Sequence, residues 1–533
     1  MQKLYFLFIT LILIFGLSTA KAQSYHLDST FSGSGIDIVT PDVPAPILYQ
    51  HYITQMSVMA DGRIVMSGII TGSNWFEIIR LHSDGTPDST FNNNGIITFA
   101  TTTEAITFTQ LKVDASGNIF LCGTAFGSGN SNFCVYKITS AGRFDSTFAG
   151  SGMLEIALNT WNFGQSFDIQ NDGKIVVGGY TEDNTTGIYE YCLTRLLADG
   201  TLDTAYGTSG YAVCMYSQLF KYSPTANMGY CVSRLAGNKM LLSGMYTNIN
   251  GSLFIVRYNS TGTPDSSYGV NGLVQVSLDS NYLLVLRQVT DDSGNAYELC
   301  QYRDLAEVHL DVIKITSSGK IDSSYGINGI ASIDSIQNVY PYAYWGEFLQ
   351  SGGKLLVAGT EDTGINAKYA VTRLTSAGVP DTTFGPNGIL TVYRGMNDHC
   401  NSGALIPEGD ILLAGYGQQS LSNDTLYGIC IKLTNRVRTA VAEVGNKQIA
   451  INVYPNPTTN GKYTLKCNMP VGVSNLHLSL SDMSGKVLSN SIVYLNGNSI
   501  FEYELPDGCT PGTYLLTVTA LNSYSTTLML TSL

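Results

Sequence analysis

Apolar and polar positions alternate along most of this chain in short runs, and each run is closed by a turn. Ile53–Met59, Arg63–Ile70, Phe76–His82 and Ile96–Phe99 read as four consecutive strands, because a period of two sends one set of side chains to each face of a sheet. Asp61-Gly62 separates the first two, the tight-hairpin signal of a glycine that tolerates positive φ. The same four-strand pattern returns down the chain, which makes the periodicity the first thing to resolve.

One motif recurs seven times: Asp, an aromatic three residues on, and Gly four residues after that. It starts at Asp28, Asp88, Asp145, Asp203, Asp265, Asp322 and Asp381, with successive spacings of 60, 57, 58, 62, 57 and 59 residues. A second pattern lies between the copies, a small turn followed by an apolar strand. It begins at Asp61-Gly62 and Asp172-Gly173, and in looser form at Ser116, Gly237, Ser293, Gly352 and Glu408. Repeats of roughly 58 residues with four strands each predict an all-β fold, a seven-bladed β-propeller, over residues 23–434. The chain enters in mid-unit, at Asp28 and Ile36–Thr40, and the repeats stop after a third strand near Thr434. Two partial units that sum to one predict a ring closed by its first and last strands, which also removes exposed sheet edges.

Eight residues before each of the last six motifs stands a base: Arg80, Lys137, Arg195, Arg257, Lys314 and Arg373, with Lys432 as the seventh equivalent. Either these line a channel for an anionic ligand or they pair with the motif aspartates. The fixed register of seven bases and seven acids favours the pair. The Asp-rich turns, such as Asp84 to Asp88, keep too few carboxylates for a calcium loop and read as Asx-turns.

Residues 435–449 break the repeat and read as a linker. Residues 450–533 carry alternating strands with turns at Asn460-Gly461, Ser484-Gly485 and Pro511-Gly512, which predicts a small C-terminal β-sandwich. At the other end, Lys3, the apolar run Leu4–Leu17 and Ala20-Lys21-Ala22 form a secretory signal peptide, residues 1–22.

Composition agrees with an exported β protein. Gly numbers 55 and Tyr 33, only 13% of residues are charged, and net charge is −13. No basic cluster suits nucleic acid, and no later run is long and apolar enough for a membrane helix. Ten cysteines are scattered without a metal-binding spacing. Cys122–Cys134 is the most plausible cross-strand bridge and Cys467–Cys509 could bridge within the tail, with free buried thiols, which pack as small hydrophobes, as the alternative. No cofactor and no metal are expected.

The repeats resemble the delta-60 family, recognised by Leu-Asp-x-x-Phe-Gly-x-x-Gly units with an intervening Asp-Gly-Lys strand. That resemblance implies the propeller and leaves activity open. The tail resembles the commoner, type A C-terminal sorting domain of type IX secretion cargo. The shared features are Tyr454-Pro455-Asn456-Pro457, the Gly485-Lys486 strand and the Pro511-Gly512-x-Tyr514 strand. It implies Sec-dependent export, passage of the outer membrane through the type IX machinery, and a secreted or cell-surface location.

No catalytic motif stands out. Asp398-His399-Cys400 is the tempting nucleophile cluster, but adjacent strand residues point to opposite faces. The fifth unit departs from the repeat at Glu298–Asp304, and charge concentrates in Arg303, Asp304, Glu307, His309 and Asp311, the candidate ligand face. Asp334-Ser335-Ile336 and Asp424-Thr425-Leu426 resemble an O-glycosylation sequon. The reading that results is a non-enzymatic binding or adhesion scaffold for a glycan or protein. The alternative is an extracellular polysaccharide hydrolase or lyase with a carboxylate pair at the propeller mouth.

Overall fold

A computed structural model describes residues 25–435 and 450–532 apart from stretches within them, of which 40–49, 214–230 and 334–345 are the longest. The expected signal peptide and all but the first residue of the expected linker lie outside the described residues, as do Cys214 and the Asp334 sequon. The described chain is all-β, with propeller-type four-stranded sheets along the repeat region.

The first sheet runs His51–Val58, Ile64–Ile70, Trp75–Leu81 and Ile96–Ala100 as an antiparallel meander. The second is Ala105–Val113, Ile119–Gly127, Asn130–Ile138 and Met153–Ile156. A third, spanning 162–213, repeats the order. The fourth is Cys231–Arg234, Met240–Tyr246, Ser252–Tyr258 and Leu273–Ser277. The fifth is Tyr282–Thr290, Ala296–Arg303, Val308–Ile315 and Ile330–Ser332, so the divergent Glu298 segment is still a strand. The sixth spans 346–392.

A further sheet joins the two ends of the repeat region. Asp398–Leu405, Ile411–Ser420 and Asn423–Thr434 are its first three strands. Its outer edge comes from the N-terminal segment: His26 pairs with Thr434, Leu27 with Leu433, and Ile36–Val39 with Ile431–Gly428. The first strand of each sheet packs on the first strand of the next, and Asp398–Leu405 packs on His51–Val58. Apolar clusters fill the spaces between neighbouring sheets, for example Val65, Ile78, Phe91, Leu111, Leu121 and Tyr136 between the first and second. Burying such side chains is worth roughly 1.5–3 kcal/mol each.

Neighbouring sheets are also hydrogen-bonded at their turns. In six copies the backbone N–H one residue past the motif aromatic reaches a carbonyl of the following sheet, as Asn92 N does to Ala141 O (3.1 Å) and Gly326 N to Ala377 O (2.7 Å). A glycine three residues before the next motif aspartate makes room. A Cβ on Gly319, at φ +79°, would lie 2.3 Å from Gly269 N.

The tail is a sandwich of two sheets. Ala450–Tyr454, Lys462–Asn468 and Ile500–Glu504 form one. Val487–Tyr494, Asn475–Asp482, Gly512–Ala520 and Tyr524–Ser532 form the other, in that order. Leu465, Leu478, Leu480, Leu516 and Val518 are buried between them.

Two expectations about cysteine fail. Cys122 and Cys134 are both free and buried. Cys122 stands opposite Val135 and Cys134 opposite Gly123, so the one-residue offset turns their sulfurs to opposite faces of the sheet. Cys509 is unbridged as well, so no bond to Cys467 forms.

Candidate functional site

In an up-and-down meander the first and third connections of each sheet fall at one end, here the turn end. The second connection and the link to the next sheet fall at the other, the loop end. The repeat chemistry lies at the turn end. Each motif aspartate accepts its partner base there. Nitrogen–oxygen distances are 2.7 Å for Arg80–Asp88 and 2.9 Å for Lys137–Asp145, Arg195–Asp203, Arg257–Asp265, Lys314–Asp322 and Arg373–Asp381. Lys432–Asp28 is 3.3 Å. The other carboxylate oxygen closes the turn, as Asp88 does by accepting from Thr90 N (3.0 Å) and Thr90 Oγ1 (2.6 Å). Burial alone would raise the Asp88 carboxyl. The Thr90 hydrogen bonds, Arg63 and the Arg80 charge outweigh it and hold the group well below the usual range.

These contacts divide the sheets into two kinds. Where the base is Arg, its guanidinium lies over the motif aromatic, 4.7 Å for Arg80 on Phe91 and 4.3 Å for Arg195 on Tyr206. Three of these guanidinia also reach a backbone oxygen of the next sheet: Arg80 to Ser140 O (2.5 Å), Arg195 to Ser260 O (2.5 Å) and Arg257 to Ser317 O (2.6 Å). A second base from the first hairpin joins the aspartate: Arg63, Lys174, Lys239 or Lys354. The residue opposite the Arg is aliphatic, Val65, Val176, Leu241 or Leu356. Where the base is Lys137 or Lys314, the opposite residue is Phe120 or Tyr297, and the ammonium sits 5.5 or 5.4 Å over that ring. The hairpin residue is then Asn118 or Asn295, tied to Asp114 or Asp291. In these two sheets an aromatic fills the volume that the shorter base leaves, whereas Lys432 of the last sheet stands opposite Leu412.

The kinds run Arg, Lys, Arg, then Arg, Lys, Arg, then Lys432. Asp88 to Asp265 and Asp145 to Asp322 are each 177 residues, and Asp203 to Asp381 is 178. Sheets one to three and four to six are therefore two copies of a three-sheet unit. Sequence reading by single repeats missed this, although Lys137-Ile-Thr-Ser140 and Lys314-Ile-Thr-Ser317 carry the signal.

The loop end carries chemistry that does not repeat. Buried His51 sets Nε2 against Glu77 Oε1 and accepts at Nδ1 from Gly428 N (3.2 Å), which ties the first sheet to the last. Arg394 grips buried Asp398 with Nε (3.0 Å) and Nη2 (2.5 Å), and Nη2 also donates to Gln418 O (2.8 Å). Burial raises the Asp398 carboxyl above its ordinary value in spite of that guanidinium. Asn162 joins the second and third sheets through Ser131 O (2.7 Å) and Thr181 Oγ1 (2.8 Å). His399 stacks on Tyr416 at 4.9 Å, and Tyr52 meets the same ring edge-on at 4.4 Å. Cys400 is buried with its thiol pushed up to about 12 by burial. With Asp398 held by Arg394 and His399 stacked on Tyr416, these neighbours do not form a relay.

Of the candidate ligand residues, the structure brings two together. His309 stacks on Tyr302 at 4.9 Å, and the Tyr302 hydroxyl donates to Asp311 Oδ2 at 2.7 Å. Asp311 is only 3% exposed, so it holds Tyr302 from beneath rather than facing solvent. Arg303 ends its strand opposite Val308. Asp304 and Glu307 lie outside the described residues. Among the described residues no group of three or more His, Cys, Asp or Glu is placed to hold a metal ion.

In the tail, Asn456 of the Tyr454-Pro455-Asn456-Pro457 segment reads the backbone of the last strand. Its Nδ2 donates to Met529 O (2.6 Å), and its Oδ1 accepts from Thr531 N (2.9 Å). Thr458 N then donates to Thr531 O (2.9 Å). The segment thus covers part of an edge that would otherwise be open.

No curated protein matches the chain. Among solved structures it is similar to Sqt1 from Chaetomium thermophilum, 11% identical over 71% of this chain and 82% of that one, with a TM-score of 0.38. An acylaminoacyl peptidase from Pyrococcus horikoshii is 6% identical over 78% and 57%, with a TM-score of 0.33. An apocarotenoid oxygenase mutant from Synechocystis is 11% identical over 64% and 71%, with a TM-score of 0.31. Likenesses this slight carry no argument. The family described as "Domain of unknown function (DUF5122) beta-propeller" matches residues 60–91, 170–206, 238–268 and 350–384, which are the four Arg-type repeats. The secretion system C-terminal sorting domain matches 452–530. The chain carries delta-60-like repeats of the DUF5122 β-propeller domain and, over 452–530, a type IX C-terminal sorting domain.

Proposed function

We propose that the mature protein is a non-enzymatic binding scaffold, a closed seven-bladed propeller over residues 23–434 that presents its loop end to a glycan or protein. The sorting domain marks it as type IX cargo, secreted or held at the cell surface. Residues 1–22 act as the export signal, 435–449 as the linker and 450–533 as the sorting unit. Ring closure is supported by the N-terminal strands on Asn423–Thr434, by Ser32 N to Asp84 O (2.7 Å), and by Asn401 Nδ2 to Ile53 O (2.7 Å).

One observation carries the binding reading: the two ends differ in how much they vary. At the turn end, motif aspartate and glycine are seven residues apart in all seven copies, and the aspartates are occupied by bases. At the loop end, the links between sheets run from 101–104 at the shortest to 214–230 at the longest. Function concentrates on variable loops carried by a rigid frame. The Arg303–Val308 hairpin, with Asp304, Glu307 and the Tyr302–His309 stack, is the ligand contact favoured within that end, and Asp311 positions it.

The test is a glycan-array and protein pull-down screen on the mature chain, with product analysis. Binding that survives Thr86→Ala at the turn end and is lost on joint alanine replacement of Arg303, Asp304 and Glu307 supports the reading. Release of a cleaved product, or binding that tracks the turn end, overturns it.

A further inference from the structure

The two copies of the three-sheet unit act as each other's control. Between residues 111 and 145 the copies align without a gap, at an offset of 177. In the first copy the seam between sheets one and two is apolar: Leu111, Leu121 and Cys134 are buried beside Phe91. In the second copy the same positions, between sheets four and five, are Gln288, Glu298 and Asp311, beside Tyr268. Core positions have become polar in one copy alone, and the fold is unchanged.

Glu298 is fully buried on the second strand of the fifth sheet. Gln288 Nε2 donates to its Oε1 at 2.6 Å. The other groups that face it are Ser243 from the fourth sheet and the phenol of Tyr268 from that sheet's turn, with the Arg257 guanidinium behind the ring at 4.5 Å. Ile313 stands opposite it. Asp311, opposite Cys300, is one row away on the same face. Cys231 lines the seam from the first strand of sheet four. None of these is a base in contact with the carboxyl, so no opposite charge offsets the desolvation of its charged form. Burial pushes the group up to about 7 in spite of hydrogen bonds from Gln288 and Ser243.

We propose that the seam between sheets four and five is a proton-controlled joint of the ring, closed while Glu298 holds its proton and loosened when the carboxylate forms. With its proton the carboxyl is an uncharged group in a space that the first copy fills with leucine. When the proton leaves, the charge must draw in water or part the sheets. The row Glu298, Asp311, Tyr302 and His309 runs from that core position to the loop end, so the strain is relieved toward the loop end. The weak joint is local, because the equivalent seam between sheets one and two holds no ionisable carboxyl.

The experiment is hydrogen exchange by mass spectrometry on the mature full chain between pH 5.5 and 8.5, corrected for the intrinsic pH dependence of amide exchange. Peptides covering 282–303 are compared with those covering 105–127 in the same sample. Protection of 282–303 is expected to fall by up to tenfold per pH unit from 5.5 to about 7 and to level off above it, while 105–127 stays level. E298Q, an uncharged isostere, is expected to abolish the difference, and Q288L with E298L to protect 282–303 at every pH. Equal pH responses of the two peptides in the wild-type protein overturn the proposal, and that comparison needs no variant to fold. A pH response that persists in E298Q overturns it too.

Discussion

The ammonium of Lys432 lies 3.3 Å from the Asp28 carboxylate, and both side chains are almost fully buried. One residue belongs to the last strand of the repeat region and the other to its first turn. Lys432 also contacts Asp410 (3.6 Å) and donates to Ser83 O of the first sheet (3.3 Å). Its neighbourhood is where the chain ends meet. Removing Asp28 leaves the buried ammonium to Asp410 and Ser83 O, and the loss of one charged hydrogen-bond partner costs about 1.5–3 kcal/mol. Asp28→Ala is therefore expected to lower the urea midpoint far more than Asp84→Ala, which removes an exposed Asx-turn. It should also raise protease sensitivity at both termini of the repeat region together. Equal, small effects of the two substitutions would remove the pair from any role in closure.

The two kinds of sheet predict how Arg and Lys exchange. Arg80→Lys gives up the bonds to Ser140 O and Thr90 Oγ1 and should cost about 1–3 kcal/mol. Lys137→Arg meets Phe120 and should cost about as much by overpacking. Adding Phe120→Val to Lys137→Arg recreates the Arg-type pair and should recover most of the loss. A double-mutant cycle by chemical denaturation checks this, and simple additivity of the two single effects would refute the volume argument.

Acid acts on the same turns. Burial would raise the Asp381 carboxyl, but Lys354, Thr383 and Arg373 bring it down to about 2. Asp88 and Asp265 are lowered for the same kind of reason. A folded value below the unfolded one means that the folded state binds fewer protons, so the stabilisation is present above the unfolded value near 3.8 and is lost as pH falls toward 2. The Asp381 shift corresponds to about 2 kcal/mol. Glu298 has the opposite sign. Its folded value near 7 exceeds the ordinary 4.5, so its contribution is full below 4.5 and is lost as pH rises through 7. Thermal unfolding followed from pH 2 to 9 should show greatest stability between about 4 and 5. In E298Q the neutral-side decline should flatten and the acid-side decline should remain.

The frame of this protein was legible because the turn end repeats it. Asp, aromatic and Gly at fixed spacing require one turn geometry, and seven copies leave no choice of register. The same repetition hid the cysteine geometry. A bridge between Cys122 and Cys134 is natural from spacing alone, yet the hairpin from Gly127 to Asn130 sets them one row apart. The loop end was less legible, since its contacts join residues with no sequence rule between them, such as His51 with Glu77 and Gly428. The polar seam at Glu298 was visible as a broken strand pattern. Its meaning needed the second copy, where Leu121 shows what the position otherwise holds.

Export of intact thiols follows from burial. Cys122, Cys134, Cys192, Cys400 and Cys430 are free and buried. Burial raises the thiols of Cys122, Cys134, Cys192, Cys400 and Cys430 above their ordinary value. The thiolate is the reactive species, so these sites should resist alkylation in the native protein and react only on unfolding. Half-buried Cys509 should be labelled first. Peptide mapping after a brief iodoacetamide pulse gives the order. Early labelling of Cys134 would contradict the packing between the first two sheets.

The last prediction concerns the sorting domain. Asn456 uses both halves of its amide on the final strand, as donor to Met529 O and acceptor from Thr531 N. Neither backbone group has its strand partner on that side, because Tyr524–Ser532 is the sheet edge. Asn456→Ala removes both bonds and should destabilise the tail by about 1–3 kcal/mol. Asn456→Asp keeps the acceptor and turns the donor into a second carboxylate oxygen facing Met529 O, so it should be at least as harmful. Asn456→Ser, too short to span both groups, should fall with Ala. If the segment matters in sorting because it fixes the final strand, export should fall in the same order as tail stability. The measurement is secreted protein in the medium beside hydrogen exchange at 524–532. Normal protection with lost export would instead make Asn456 a direct contact of the machinery, and lost protection with normal export would separate the two altogether.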